Sequence, residues 1–149
     1  PMSMDLGTVV RAAADLVGPT LARRSVALEV VVAEGLRVRA RSDEITQVVA
    51  NLLQNAVRYT PEGGTVRVVA ERNVEGVVVR VANTGPGIPG SDLPHVWERF
   101  YRVEKSRDRA RGGAGIGLAI VKQLVEQGGG RVGAESGNGL TRFWFSVPS

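Results

Sequence analysis

The sequence predicts an α/β sandwich, with about three helices on one face of a mixed, mostly antiparallel sheet. Three segments carry apolar residues at helical spacing, and the segments between them alternate as half-buried strands do. The chain has 149 residues, of which 43% are hydrophobic and 23% are charged. This length and composition suit one globular domain with a real core, and no repeat or linker divides it. We therefore expect residues 1–149 to form a single domain.

The first forty residues predict one helix and two strands. Apolar residues recur at helical spacing from Asp5 to Arg24, with Asp5 as the N-cap and a break or kink at Gly18-Pro19. The segments Val26–Val32 and Leu36–Ala40 alternate enough to form strands. Because Glu34-Gly35 separates them, we expect these two strands to form a hairpin.

A second helix is predicted to begin at Ser42 and to end before the stop signal at Pro61. The acidic residues after Ser42 suit the positive end of the helix dipole. Its predicted core stripe consists of Ile45, Val48, Val49, Leu52, Leu53 and Ala56. An antiparallel strand pair, a third helix and two final strands should follow: Thr65–Ala70 with Val77–Ala82, about Ile116–Gln127, and then Arg131–Glu135 and Thr141–Val147.

Composition narrows the function classes. The chain has no cysteine, which excludes disulfides and thiolate metal sites and fits a cytoplasmic domain. No stretch approaches the roughly 18 consecutive apolar residues of a membrane span, and residues 1–4, which lack the features of a signal peptide, are a candidate cloning remnant. The net charge of +4 is concentrated in residues 99–111, beside a glycine-rich turn. That cluster suits a nucleotide phosphate better than a polymer, so we expect no nucleic-acid partner.

The second helix also carries a row of polar side chains beside its apolar stripe. Gln47, Asn51, Asn55 and Arg58 fall at i, i+4, i+8 and i+11, so they share one face. Buried amides need partners, and amide oxygens can ligate Mg²⁺ or its waters. A solvated or capping row would have the same spacing, so the helix alone leaves both interpretations open.

Two glycine-rich turns point towards a nucleotide. In Asn83–Pro89, directly after a strand, two glycines let the backbone approach a flat ring, and a polar side chain at the strand end could bind its edge. In Gly112–Leu118, before the third helix, backbone N–H groups and the helix dipole favour phosphate oxygens. A Rossmann site and a P-loop are excluded, because no strand precedes this turn and no Gly-Lys-Ser/Thr follows its glycines.

Five stretches occur in a characteristic order: NLLQNAVRYTP at 51–61, NTGPGIP at 83–89, WERFYR at 97–102, GGAGIGLAIV at 112–121 and GNGLTRFWFSVP at 137–148. They closely resemble the N box, first glycine box, F box, and second and third glycine boxes of the catalytic domain of bacterial sensor histidine kinases. That family belongs to the ATPase superfamily shared with gyrase, Hsp90 and MutL. The resemblance covers nearly the whole chain and implies a Bergerat-type ATP-binding fold with ATP and Mg²⁺ as cofactors.

The resemblance also implies roles for residues at matching positions. Asn51, Asn55 and Arg102 would be catalytic, with Asn55 as the Mg²⁺ ligand, Asn51 as a second candidate ligand, and Arg102 reaching the γ-phosphate. Residues 102–115 would form a lid over ATP, which we expect to be mobile without ligand. The implied nucleotide-binding residues are Asn51, Asn55, Arg58, Tyr59, Asn83, Gly85, Gly87, Ile88, Arg102, Gly113, Gly115, Ile116, Gly117, Leu118 and Thr141.

Asn83 is the main departure from the family pattern. The family normally has an aspartate there, which accepts a hydrogen bond from the adenine amino group. An asparagine oxygen can accept that bond, but it is uncharged and the amide can turn the wrong way. We therefore expect ATP binding to be weaker by roughly 1 kcal/mol. Smaller departures are Arg58 for the usual lysine, Trp97 for phenylalanine and Leu140 for a frequent glycine.

Asn51 separates the branches of the superfamily. Gyrase-like and Hsp90-like ATPases carry a glutamate there that activates water, and an amide cannot act as a general base. The resemblance therefore implies a protein-histidine kinase of a two-component system. The open alternatives are an anti-sigma-factor-type serine kinase, a degenerate nucleotide-binding regulatory module and a plain ATPase, the last disfavoured by Asn51.

The acceptor histidine of this family lies in a dimerising helical hairpin before the catalytic domain. His95 follows a proline and lacks the glutamate that follows the acceptor, so we expect it to be structural. The expected partners are ATP, the hairpin of the same protein and a response regulator. We expect this chain to be monomeric, and the whole protein to be a homodimer anchored in the bacterial inner membrane with this domain in the cytoplasm.

Overall fold

The computed structural model describes residues 2–99, 101 and 117–148. These residues contain three α-helices, a five-stranded sheet and a separate two-stranded sheet. In chain order the elements are β1 (Met2–Asp5), α1 (Leu6–Arg23), β2 (Ala27–Val32), β3 (Arg37–Ala40), α2 (Ser42–Tyr59), β4 (Thr65–Asn73), β5 (Gly76–Thr84), a 3₁₀ turn (Leu93–His95), α3 (Gly117–Gln127), β6 (Val132–Gly137) and β7 (Leu140–Val147).

The architecture confirms the predicted sandwich. The five-stranded sheet has the order β2-β4-β5-β7-β6, with β2 parallel to β4 and every other neighbouring pair antiparallel. Helix α2 packs between α1 and α3, and the helices contact the sheet through β2, β5, β6 and β7. All six residues of the predicted α2 stripe are buried against this sheet or the neighbouring helices. No helix in the described ranges is long and apolar enough to cross a membrane.

The hairpin predicted around Glu34-Gly35 is wrong. Strand β2 pairs with β4, whereas β3 pairs with β1, so the two strands belong to different sheets. The turn at Gly35 has φ +70°, and the next residue, Leu36, is buried and accepts a hydrogen bond from Leu6 N at 2.9 Å. Because Leu36 is buried and bonded to the start of α1, β3 runs away from β2. Strand periodicity alone does not encode these tertiary contacts.

Helix α1 confirms the predicted cap but not a break. The Asp5 side chain accepts a hydrogen bond from Gly7 N at 2.9 Å, so it caps the helix as predicted. The helix continues through Pro19 to Arg23. A proline removes one helical hydrogen bond, here the bond to the carbonyl of Asp15. Asp15 is an exposed residue on the outer side of the helix, so this loss falls outside the core.

The hairpin of β6 and β7 is longer than predicted. The two strands extend to Gly137 and Leu140, which pair directly across a two-residue turn, Asn138-Gly139. Both turn residues have positive φ, +55° and +78°. Such a turn matches the twist of antiparallel strands and is favoured by Asn-Gly. It sets the register that aligns the polar side chains described next.

Candidate nucleotide-binding site

Three polar side chains lie side by side at one end of the five-stranded sheet. Asn83 of β5 is directly opposite Thr141 of β7, and Thr141 is directly opposite Ser136 of β6. Residues that face each other across strands share one side of the sheet. The next row inward on that side is apolar and consists of Val81, Phe143 and Ala134. We call Asn83, Thr141 and Ser136 the polar row; it interrupts an otherwise apolar, helix-covered surface.

Two members of the polar row are buried, Ser136 is half-buried, and Asn83 carries an acceptor that no described residue uses. Asn83 and Thr141 are each only 5% exposed. The Asn83 Nδ2 donates to the Thr84 carbonyl at 2.9 Å, and because a carbonyl can only accept, this bond sets the direction of the amide. No residue in the described ranges donates to Asn83 Oδ1. A buried acceptor without a partner is costly, so the site fits a ligand that supplies an N–H, as the adenine amino group does.

The predicted turn after β5 is attached to this row through its backbone. Gly85 N donates to Gly139 O at 3.1 Å, and Ile88 N donates to Ser136 Oγ at 2.8 Å. Gly87 has φ +85°, and a Cβ on it would lie 2.8 Å from Ser136 Oγ. Both the conformation and the close approach therefore require glycine. The backbone of Gly85–Ile88 therefore lies directly beside the polar row.

Helix α2 carries the two predicted amide residues, Asn51 and Asn55. Asn51 Nδ2 donates to the Gly117 carbonyl at 3.3 Å, which joins α2 to the first residue of α3. This bond uses the nitrogen of Asn51 and leaves its oxygen available. Asn55 lies one turn further along α2 and is half-buried. No cluster of three or more His, Asp or Glu side chains suited to a metal occurs in the described ranges, whereas amide oxygens are ligands that Mg²⁺ accepts.

The C-terminal end of α2 carries two of the predicted nucleotide-binding residues, Arg58 and Tyr59. The carbonyl of Tyr59 lies 3.5 Å from where a Cβ on Gly85 would be, so this end of the helix reaches the glycine turn. Arg58 lines a cavity of about 400 Å³ with Arg24, Gln54 and Val57, none of which belongs to the predicted set. Arg24 itself donates to the carbonyls of Val57 and Thr60.

Several predicted residues lie outside the described ranges. These are Arg102, Gly113, Gly115 and Ile116, together with the rest of the predicted lid at 102–115. The neighbouring predicted residues are placed: Gly117 begins α3, and Leu118 packs against the core. Among the described atoms, none lies within 4 Å of where a Cβ on Gly117 would be.

The segment before residue 102 packs on the core through aromatic side chains. The Trp97 ring contacts Phe143 edge to face, with centroids 5.6 Å apart. His95 is partly exposed, its Nδ1 lies 2.7 Å from Glu98 Oε2, and its ring stacks on Tyr101 at 5.3 Å. The Tyr101 hydroxyl donates to Asp92, and this bond raises the pKa of Tyr101 above its usual value. His95 thus contacts Glu98 and Tyr101, and its structural role stays a prediction.

Ser136 is the site residue that our sequence reasoning missed. Its hydroxyl contacts both the Ile88 backbone and Thr141 Oγ1, the latter at 3.2 Å. The signal that could have found it is the Asn138-Gly139 dipeptide. Because this dipeptide favours a two-residue hairpin turn, it predicts that Thr141 faces Ser136.

Comparison with known proteins assigns the family. Residues 40–149 match the family described as histidine kinase-, DNA gyrase B-, and HSP90-like ATPase. The sensor histidine kinase WalK of Bacillus subtilis (strain 168) is 43% identical over 116 residues, which is 76% of this chain and 19% of WalK. The signal transduction histidine-protein kinase BaeS of Escherichia coli (strain K12) is 35% identical over 129 residues, 87% of this chain and 28% of BaeS. This chain therefore spans less than a third of either relative.

Solved structures agree with this assignment. The nucleotide-free catalytic domain of histidine kinase ThkA superposes with a TM-score of 0.88 at 28% identity, covering 99% of this chain and 94% of that one. ThkA in complex with the response regulator protein TrrA superposes with a TM-score of 0.83 at 26% identity. The match covers 99% of this chain and 41% of that one. Full-length ShkA in complex with AMPPNP superposes with a TM-score of 0.83 at 29% identity. The match covers 99% of this chain and 32% of that one. The chain belongs to the histidine kinase-, DNA gyrase B- and HSP90-like ATPase family.

Proposed function

We propose that this chain is the ATP-binding catalytic domain of a two-component sensor histidine kinase. It binds Mg-ATP at the polar row and serves transfer of the γ-phosphate to a histidine outside the chain. The observation that carries the proposal is the buried Asn83 Oδ1, which accepts a hydrogen bond from no residue in the described ranges. The glycine turn lies beside it, and the amide of Asn51 lies at the start of α3. The names of its relatives as sensor histidine kinases favour this function over a serine kinase or a non-catalytic module.

The residues of the chain divide the work of binding. Asn83 Oδ1 accepts from the adenine amino group, while the Gly85–Ile88 backbone lies against the base. The oxygens of Asn55 and Asn51 would hold Mg²⁺, which would supply positive charge to neutralise the phosphates. Arg102 and the glycines 113, 115 and 117 are proposed to contact the phosphates. Arg58 and Tyr59, at the end of α2, complete the predicted set.

Asn51 explains why the phosphate is kept for a protein acceptor. An amide cannot take a proton from water, so hydrolysis lacks a general base at this position. In the proposed transfer, the bond from the γ-phosphorus to the oxygen of ADP breaks as a bond to an imidazole nitrogen forms. The imidazole proton passes to a base next to the acceptor histidine, outside this chain. Catalysis then depends on positioning and charge, as phosphoryl transfer generally does.

The proposal extends to the whole protein. The acceptor hairpin would belong to the same polypeptide and form a homodimer, and the phosphate would pass on to a response regulator. ThkA, which resembles this chain, has been solved with its regulator TrrA. We propose that the complete protein is anchored in the bacterial inner membrane, and that residues 1–149 are its cytoplasmic catalytic domain.

The first test is calorimetric titration of this chain with a non-hydrolysable ATP analogue, with and without Mg²⁺. We expect binding in the micromolar range that weakens when Mg²⁺ is removed. Absence of binding at millimolar nucleotide would overturn the proposal in favour of a degenerate regulatory module.

The second test is phosphotransfer to a separately supplied helical hairpin that carries the acceptor histidine. We expect acid-labile phosphohistidine, and a sharp loss of it in Asn55→Asp and Gly117→Ala. Matched controls are Asn73→Asp, at the far end of β4, and Gly18→Ala, where a Cβ on α1 would meet nothing within 4 Å. Transfer that persists in both site variants would contradict the roles given to Asn55 and Gly117.

A further inference from the structure

Arg24 holds the C-terminal end of α2 from the neighbouring helix. It is the half-buried residue that follows α1 directly. Its guanidinium crosses to α2, where Nη1 donates to the Val57 carbonyl and Nη2 donates to the Thr60 carbonyl at 2.5 Å. One side chain thus binds the carbonyls on both sides of Arg58 and Tyr59, two of the predicted nucleotide-binding residues.

The Val57 carbonyl lacks a helical partner because of a proline. In an α-helix the carbonyl of residue 57 accepts from the N–H of residue 61, but Pro61 has no N–H. Val57 lies in the last turn of α2, which ends at Tyr59. Carbonyls at the C-terminus of a helix need partners from elsewhere, and the side chain of Arg24 supplies the missing donor.

Arg58 is the basic residue in the last turn of α2 itself. A basic side chain at such a place can bond the last carbonyls of its own helix. Arg58 lines the same cavity of about 400 Å³ as Arg24, but Arg24 already occupies the carbonyls there. Among residues 2–99, 101 and 117–148, none pairs with the Arg58 guanidinium. Arg58 is therefore a cation beside an anchored cation.

We propose that Arg24 is a positioning residue that occupies the Val57 and Thr60 carbonyls, and so keeps Arg58 from folding back onto its own helix and leaves it for the phosphates of the nucleotide. This inference rests on the proposed function, in which Arg58 belongs to the nucleotide-binding set. Like charges in one cavity repel each other, which also directs Arg58 away from Arg24. Without Arg24, the Val57 carbonyl loses its donor, and Arg58 can take that place.

The test is a double-mutant cycle on binding of a non-hydrolysable ATP analogue with Mg²⁺, measured by calorimetry. The chains are the wild type, Arg24→Ala, Arg58→Ala and the double variant, with Arg24→Lys as the conservative change. Thermal unfolding followed by circular dichroism establishes that each variant is folded. If Arg24→Ala does not fold, Arg24→Gln replaces it in the cycle, because the shorter amide lacks the fork that bonds both carbonyls.

The matched control is Arg72→Ala. Arg72 also donates to two carbonyls, those of Gly35 at 3.0 Å and Arg37 at 3.4 Å. It lies at the end of β4 that is distant from the partner of Asn83 in the strand register. Its replacement removes the same charge and the same number of bonds, so any difference from Arg24→Ala comes from the place of Arg24.

We expect Arg24→Ala and Arg58→Ala each to weaken binding about tenfold, the order of magnitude for one lost hydrogen bond. The double variant should bind no more weakly than Arg58→Ala, Arg24→Lys should recover part of the affinity, and Arg72→Ala should bind as the wild type does. A purely structural role would give losses that add. Additive losses, no recovery with lysine, or unchanged binding in either single variant would overturn the role of Arg24 and leave the proposed function intact. Failure of the wild type to bind the analogue would overturn both.

Discussion

The helix-covered face of the sheet carries successive rows of side chains from β5, β7 and β6. One row consists of Val79, Phe145 and Val132, and the next row, two residues along each strand, consists of Val81, Phe143 and Ala134. Two residues further still is the polar row of Asn83, Thr141 and Ser136. Burial hardly changes along this path: Phe145 is 0% exposed, and Asn83 and Thr141 are each 5% exposed. Only the chemistry changes, from hydrocarbon to amide and hydroxyl.

This difference separates residues that fold the chain from residues that serve a ligand. Burying hydrocarbon stabilises the folded state, whereas burying a polar group without a full set of partners costs about 1–3 kcal/mol. Apolar residues at the polar row would therefore give a more stable sheet. We therefore expect the free energy that is lost at the polar row to be recovered when a ligand binds there.

The largest expected effect is on stability, at the apolar end. Phe145→Ala removes a fully buried ring, and such a change costs about 3–5 kcal/mol because it leaves a cavity. Urea unfolding followed by tryptophan fluorescence measures it. The control Val31→Ala, at a residue that is 49% exposed on edge strand β2, should change stability by less than about 0.5 kcal/mol. Equal effects of the two changes would contradict the assigned core.

Asn83→Leu reverses the pattern at the polar row. The side chain keeps its size but loses both the acceptor and the bond to the Thr84 carbonyl. We expect ATP affinity to fall by about 2 kcal/mol, because the adenine amino group is left unpaired in a buried site. The free energy of unfolding should stay the same or rise. Calorimetry and urea unfolding measure the two quantities, and ATP binding at wild-type strength would refute the placement of the base.

Gly87→Ala should affect both stability and binding. A residue with a side chain is strained at φ +85°, and its Cβ would meet the Ser136 hydroxyl. We expect a loss of about 1–2 kcal/mol in unfolding free energy and weaker ATP binding. Gly90→Ala is the control, because no described atom lies within 4 Å of its Cβ position and its φ is not positive. If both variants lose the same unfolding free energy and the same ATP affinity, the close contact with Ser136 does not contribute to either quantity.

Asn83→Asp restores the residue usual in the family. A charged acceptor strengthens a hydrogen bond, so ATP should bind more tightly by about 1 kcal/mol. The carboxylate cannot donate to the Thr84 carbonyl, so the free energy of unfolding should fall by about 1 kcal/mol. The same two measurements as for Asn83→Leu apply. An unchanged affinity would mean that another residue binds the amino group.

The smallest effect is expected on the opposite, open face of the sheet. There Arg80 and Glu71 form an ion pair at 2.6 Å with both side chains substantially exposed. Exposed pairs contribute only about 0–1 kcal/mol and are screened by salt. Arg80→Ala, Glu71→Ala and the double variant should give a coupling free energy in that range that vanishes in 1 M salt. A coupling above about 2 kcal/mol would show that this face matters more for stability than its exposure suggests.

The sequence predicted those parts of the fold that depend on local pattern. The α2 stripe from Ile45 to Ala56 and the pairing of β4 with β5 follow from periodicity, and both are confirmed. The hairpin of β2 and β3 was wrong, because periodicity shows that a strand is half-buried but not which neighbour it pairs with. Strand β1 was not predicted, because residues 1–4 were interpreted as a cloning remnant and Asp5 as the cap of α1.

The candidate site was predictable in its residues more than in its geometry. Resemblance to a family pointed to Asn83 and Thr141, and the structure brings these two together. Periodicity could not give the direction of the Asn83 amide, because that depends on the Thr84 carbonyl at the end of β5. Ser136 was missed because a single serine in a glycine-rich stretch has no pattern of its own. Its importance comes from the strand register.

The two tryptophans of this chain lie on opposite sides of β7 and give it two optical reporters. Trp97 contacts Phe143, one row inward from Thr141, on the helix-covered side. Trp144 lies over Gly133 on the open side, so closely that a Cβ there would come within 2.3 Å of its ring. With Trp144→Phe the emission arises from Trp97 alone. Its spectrum then follows the packing beneath the polar row in solution, without an attached dye.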